Sequence, residues 1–345
     1  MVYLPFWNRL DMIYRFWDGP HYAYTAKFLY QVPDDNPMRI FNLPSTYYAS
    51  HLPMVSLLIR LVAVFAGGNY FLAMLIAGTL TSIVAALLFL RILQVYSLVH
   101  SPGWTAFLFC FLPPTWLVYH SVGASEPLFL VFCFASLLAY KGKQPWLIVL
   151  FIALASWTRI TGILLVPIFA VLYLRERNWG DLTKILIAGL ALPLLFGFYY
   201  LSFGDFFAVL HGHPEKLSHM SPIPFTPFLR RLSDSQTVVE YVIYFYLINA
   251  LGTLYFIKRN TALFIFCSVF YLFEIFHAHY HISRYFLPLM PFTFLVAFDS
   301  LLSNKAVRWL VPVLVIFCYL YVWNRIPNNL APPEFFQAVD KALHG

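Results

Sequence analysis

Charged side chains are scarce in this 345-residue chain, where Lys, Arg, Asp and Glu make up only 11% of residues against 61% hydrophobic and 20% aromatic. That balance excludes a soluble globular domain, which keeps roughly a quarter of its residues charged. Over long stretches charge is absent altogether. Neither the gap from Arg60 to Arg91 nor that from Arg91 to Glu126 holds a single Lys, Arg, Asp or Glu, and each can house a helix of the about 20 apolar residues that a bilayer demands. Cysteine is sparse too: Cys110, Cys133, Cys267 and Cys318 lie in apolar runs without a CxxC pair. A disulfide framework is therefore not expected, and small buried hydrophobes are. Walker, Rossmann, HExxH and GxSxG patterns are missing, as are a secretory leader pattern, an internal repeat and a low-complexity tract.

What is present is a series of apolar runs too long and too continuous for barrel strands, which would alternate over about 10 residues. The expected fold is an all-α polytopic membrane protein of about ten transmembrane helices. They cover approximately 69–95, 104–122, 125–141, 145–158, 159–175, 181–203, 237–257, 261–277, 285–302 and 306–323, the fourth and fifth short and either tilted or broken near Thr158 and Gly162. If the first span ends in the cytoplasm, the inner connections collect Arg91, Lys141, Lys143, Arg175, Arg177, Lys184, Lys258, Arg259, Lys305 and Arg308 against Glu176, Asp181 and Asp299. That excess equals the whole net charge of +7, so the basic balance is a positive-inside signal and no longer argues for a nucleic-acid partner.

The same assignment sends every histidine except His100 to the outer side, together with Asp11, Asp18, Asp34, Asp35, Glu126, Arg159, Asp205 and Arg284. Residues 1–68 read as a first outer segment. Its last part, 51–68, is interrupted by Arg60 and ends in Gly67 and Gly68, the pattern of an interfacial or re-entrant helix. Residues 69–323 are the helical bundle, with an outer loop at 204–236. Residues 324–345 form an outer tail ending in a short amphipathic helix with Phe335, Phe336 and Val339.

Candidate chemistry gathers on that side. Asp18 precedes Gly19 and Pro20 and lies three residues before His21, which suits both a helix N-cap and an oriented general base. Ser125-Glu126-Pro127 opens a span, so Glu126 can be a first-turn acid or a ligand for a hydroxyl or an arginine. Arg159, set between two apolar halves, must snorkel, pair with Glu126 or Asp18, or meet an anion. Arg284, followed by Tyr285 and Pro288, matches a lipid phosphate in depth and hydrogen-bond geometry. His277, His279 and His281 would face one way on an extended segment. A metal there is conceivable, but an interfacial loop is the preferred reading. His211, His213 and His219 lack a metal-ligand spacing.

Taken in order, these elements resemble the GT-C superfamily of membrane glycosyltransferases, and within it the GPI mannosyltransferase II family with its shorter bacterial relatives. The likeness runs from Trp17 to about Pro291. It rests on Trp17-Asp18-x-x-His21-Tyr22, Ser50-His51-Leu52-Pro53, Ser125-Glu126-x-Leu128-Phe129, Arg159-x-x-Gly162, Gly204-Asp205 with Phe206 and Leu210-His211, and Arg284-Tyr285 with Pro288 and Pro291. The resemblance implies inverting transfer of a sugar, typically mannose, from a polyprenyl-phosphate donor to a glycolipid, glycan or protein acceptor on the outer or lumenal face. It makes Asp18 the expected base and requires no cofactor. Family members carry a span ahead of this motif, where only Met1 to Phe16 stand here. A bacterial plasma membrane is favoured over endoplasmic reticulum by the short length alone.

The chemistry suits the residues independently. An inverting displacement needs one base for the attacking hydroxyl, and a phosphate leaving group needs cations rather than a proton donor. The expected roles are Asp18 as base, Arg159 and Arg284 as donor-phosphate ligands, and His21, His51, Glu126 and Tyr285 as groups that orient sugar or acceptor. A secondary transporter would instead show repeats and midplane polar sites, and a non-catalytic membrane scaffold is the third class.

Overall fold

A computed structural model describes residues 2–33, 35–212, 220–225, 236–277 and 282–344, with the side chains of 236–240 left out. Among the described residues every regular element is helical and there is no strand, only isolated bridges pairing Phe16 with Leu330 and Met220 with His277. The principal helices are α1 (Gly19–Phe28), α2 (Pro53–Phe65), α3 (Tyr70–Val95), α4 (Pro102–Phe109), α5 (Pro114–Tyr119), α6 (Glu126–Lys141) and α7 (Pro145–Thr158). They continue as α8 (Leu165–Arg175), α9 (Trp179–Phe203), α10 (Gln236–Leu254), α11 (Thr261–Glu274), α12 (Lys305–Arg325) and α13 (Pro333–His344).

Three of these, α3, α9 and α12, are long and apolar enough to cross a bilayer, at 26, 25 and 21 residues. Only 17% of the most apolar window of α12 is buried within the protein, and Trp309, Leu310 and Phe317 point outward from it. An apolar face of that kind is stable against lipid and costly against water.

Two of the ten apolar runs are not continuous helices. The 104–122 run breaks between α4 and α5 at Pro113-Pro114, because proline has no N–H to extend a helix and restricts the residue before it. The 285–302 run divides into a helical turn at Ile282–Tyr285, a π-helical stretch at Pro291–Val296 and a turn at Asp299–Leu302. The break expected near Thr158 is present: Arg159 is extended, and a 3₁₀ turn over Ile160–Leu164 leads into α8. Gly162 makes the reversal possible, since a Cβ there would lie 2.3 Å from the Ala155 carbonyl carbon.

The segment at 51–68 carries one short helix. α2 has 13 residues, about 20 Å at 1.5 Å per residue and short of the roughly 30 Å hydrocarbon core. Its Arg60 donates to the carbonyls of Ala26 and Lys27 at the end of α1, while Leu61, Val64 and Phe65 face outward.

The connections assigned to the inner side meet one another. His100 pairs with Asp299 at 3.0 Å, Trp104 donates to Leu302 O, Tyr140 donates to Glu176, and Lys141 and Arg308 lie over Tyr96 and Trp104. At the other end of α6, about 24 Å away for its 16 residues, the first segment of the chain and the tail close on each other. Arg15 donates to Ala331 O, and Lys27 caps the end of α13 through Ala342 O and Leu343 O. The amphipathic α13 buries Phe335, Val339 and Leu343, with Phe335 against His21 and Phe336 against Phe71.

Candidate active site

Side chains from five separate stretches converge where α1 and α6 begin. Two glycines permit the approach. Gly19, first residue of α1, lies so close to Gly123 that a Cβ on Gly123 would come within 2.7 Å of the Gly19 Cα and 2.2 Å of the Met74 sulfur. Asp18 and Glu126, each next to one arm of this contact, are thereby brought to one locus.

Arg284 donates from Nε to Glu126 Oε1 and from an Nη to Asp18 Oδ2, so one planar fork bridges two carboxylates. Arg159 reaches the same Glu126 Oε1 at 2.6 Å and Ser125 Oγ at 2.9 Å. His51 stands on the far side of Asp18, Nε2 to Oδ1 3.8 Å. Aromatic faces support the guanidinium groups: Arg284 lies 4.6 Å from the Tyr119 ring centre and Arg159 5.5 Å from that of Tyr285. The cluster is largely closed to solvent, with side-chain exposures of 2% for Glu126, 14% for Asp18 and 15% for each arginine. At such burial, removing one member leaves an uncompensated charge and costs about 3–5 kcal/mol.

Asp18 stands at the N-cap position of α1 but does not cap it: the residue has helical dihedrals and its side chain makes no capping bond. The carboxylate turns instead to Arg284, whose charge is a stronger partner than a backbone amide. Ser125 likewise leaves α6 uncapped and receives Arg159. Burial pushes the Asp18 carboxyl up, but Arg284, with His51 beside it, more than offsets this and holds it well below the ordinary carboxylate range.

Of the other expected residues, His21 is buried one layer behind, its ring stacked on His51 at 4.5 Å and packed on Phe335. Tyr285 borders the cluster through Arg159. The group at 277–281 gives a different picture: His279 and His281, like His213, His219 and Asp34, lie outside the described residues. His277 pairs through Nδ1 with Glu274 at 3.1 Å. No group of three metal-ligating side chains occurs among the described residues. His211 instead pairs with Asp205 at 2.8 Å near the surface.

Sequence reasoning missed two members. Tyr119 carries no signal beyond its apolar run. Glu274 has one: it is a lone acid at the end of an otherwise uncharged helix, three residues before a histidine. A small cleft opens here, lined by Glu126, Arg159, Thr161, Glu274, Arg284 and Tyr285, with room for roughly one water molecule. Two guanidinium groups balance two carboxylates in the network, so an incoming anion must exchange with a carboxylate rather than fill a vacant cation site. The chain matches no family model, no curated protein and no solved structure.

Proposed function

We propose that this protein is an inverting glycosyltransferase that moves a hexose, mannose by resemblance, from a polyprenyl-phosphate donor to an acceptor hydroxyl at the outer face of a membrane. In this reading the ten apolar runs cross the bilayer. The two broken runs remain compatible with it, because irregular backbone is tolerated in membranes where protein surrounds it. The observation that carries the reading is the convergence of Asp18, His51, Glu126, Arg159 and Arg284 at one end of the bundle, opposite the end where the basic connections gather.

The donor is a phosphodiester monoanion, which a guanidinium fork can bind in two places. Its phosphate takes the Arg284 face that Asp18 holds. Asp18, relieved of its counter-ion but still buried, becomes more basic and accepts the proton of the attacking hydroxyl. The acceptor oxygen bonds to the anomeric carbon as the carbon–phosphate oxygen bond breaks. The electron pair leaves on polyprenyl phosphate, where Arg159 and Arg284 stabilise it.

Full-length protein in lipid nanodiscs, given radiolabelled polyprenyl-phosphate mannose or glucose and a panel of hydroxyl acceptors, should release polyprenyl phosphate and label an acceptor. Asp18→Asn and Arg284→Ala should prevent this. Absence of transfer with any hexose donor would overturn the reading.

A further inference from the structure

We propose that Glu274, held by His277, is the sugar-recognition carboxylate of the cleft, accepting hydrogen bonds from hydroxyls of the donor hexose. The inference rests on the glycosyltransferase reading and adds to it a residue that determines specificity. Glu274 is the last residue of α11 and 1% exposed. Its position opposes stability twice: a carboxylate at a helix C-terminus faces the negative end of the macrodipole, and a buried carboxylate loses its hydration. Among the described residues its ion-pair partner is His277, a cation only when protonated, and not one of the two arginines that line the same cleft. Local rules broken without a folding benefit mark functional positions.

The lining of the cleft states what a ligand must offer once the Arg284–Asp18 contact yields to the donor phosphate and the cleft, now about the size of one water, widens. Arg159 and Arg284 supply donors, which suits an anion. Glu126 and Glu274 supply acceptors, and Glu126 Oε2 is buried with no hydrogen-bond partner among the described residues. A bare phosphate diester has no proton to give those oxygens. A ligand with one negative group and several hydroxyls satisfies both sets, as a hexose joined to phosphate does. Tyr285, whose ring meets His277 edge-on at 4.1 Å, adds an aromatic wall beside the acid. His277 fixes one edge of the Glu274 carboxylate.

The test compares equilibrium binding of two lipids, polyprenyl phosphate and polyprenyl-phosphate mannose, by full-length wild type and Glu274→Gln. The variant should lose about tenfold or more in affinity for the sugar-bearing lipid, the scale of one charge-assisted hydrogen bond, and keep its affinity for the bare phosphate. A panel of deoxy-mannose donors should then show one position whose deoxygenation weakens the wild type and leaves Glu274→Gln unaffected. An equal loss for both lipids, or no loss for either, would overturn the inference and leave the transferase reading standing. Failure of the wild type to bind either lipid would remove both. Should Glu274→Gln not fold, His277→Gln carries the same comparison: it should weaken the sugar-bearing lipid selectively, and an unselective effect would count against the proposal.

Discussion

Replacing Asp18 by Asn should separate donor binding from transfer, in opposite directions. Arg284 is shared between Asp18 and Glu126, so a donor phosphate competes with the Asp18 carboxylate for one edge of the guanidinium. Asn keeps the size of Asp18 and can still accept from the Arg284 cation, but without the ion pair, so within the about 1.5–3 kcal/mol of hydrogen bonds to charged groups it falls at the weak end and the carboxylate at the strong end. Removing the competing charge should tighten polyprenyl-phosphate binding by a few-fold to roughly tenfold. Transfer should fall by about 10²- to 10⁴-fold, the contribution of a general base. Equilibrium binding to nanodiscs and single-turnover transfer measure the two effects separately. The pH dependence supplies an internal check. Burial raises the Asp18 carboxyl, and Arg284 with His51 more than offsets this and holds it well below its ordinary 3.8. The acidic limb of kcat/KM should therefore lie below that value, and the limb of kcat, which reports the donor-bound state, should lie higher. For stability the sign is that of a depressed carboxylate: Asp18 contributes in full above about pH 3.8 and loses its contribution as pH falls through the lower folded value. The Asn variant should be less stable at neutral pH, and its deficit should shrink on acidification. Weaker phosphate binding by the Asn variant would refute the exchange, and undiminished transfer would refute Asp18 as the base.

Three further outcomes are expected. Arg284→Ala should lose donor binding severely and Arg284→Lys should recover only part of it, since an ammonium cannot bridge two oxygens as the fork does; unchanged donor affinity in both variants would contradict the phosphate role. In a background free of Cys110, Cys133, Cys267 and Cys318, cysteines at the exposed positions Gln31 and Gly142 should label from opposite sides of the membrane, and labelling of both by one impermeant reagent would overturn the orientation. Phe335→Ala should destabilise the protein by about 3–5 kcal/mol, read as a lower denaturation midpoint, because Phe335 is fully buried between His21 and Phe41; a small change would mean that α13 does not secure the Asp18 segment.

How far the sequence discloses this arrangement depends on the distance over which each feature is decided. Helix positions are local. Charge-free runs, proline at first turns and the Gly67-Gly68 stop locate α2, α3, α6 and α7 with little ambiguity, and the break at Thr158 is written in Arg159 and Gly162. The breaks at Pro113-Pro114 and around Pro288 and Pro291 were just as local, but composition averaged over a membrane-length window conceals them. Partner choice is not local. Asp18 beside Gly19 and Pro20 reads as a cap in any window, and only Arg284, 266 residues away, diverts its carboxylate.

Residues of the site were legible because a membrane makes charge expensive: each ionisable group that remains within an apolar run must have a partner or a use. This argument finds Glu126, Arg159 and Arg284 one at a time without showing that they share oxygens. It applies equally to Glu274, the one acid of α11, whose place at the end of its apolar run reads as a helix boundary rather than as a buried charge. The amphipathic stripe of α13 is likewise plain in sequence, whereas its destination, the start of the chain, is set by the meeting of residues more than 300 positions apart. That meeting has a functional consequence. Leu330 bridges to Phe16, Asn329 accepts from the Trp17 amide, and Phe335 packs on His21, so the tail braces both sides of Asp18. The Asp18 segment is thus held in register against Arg284 by contacts from residues more than 300 positions further on.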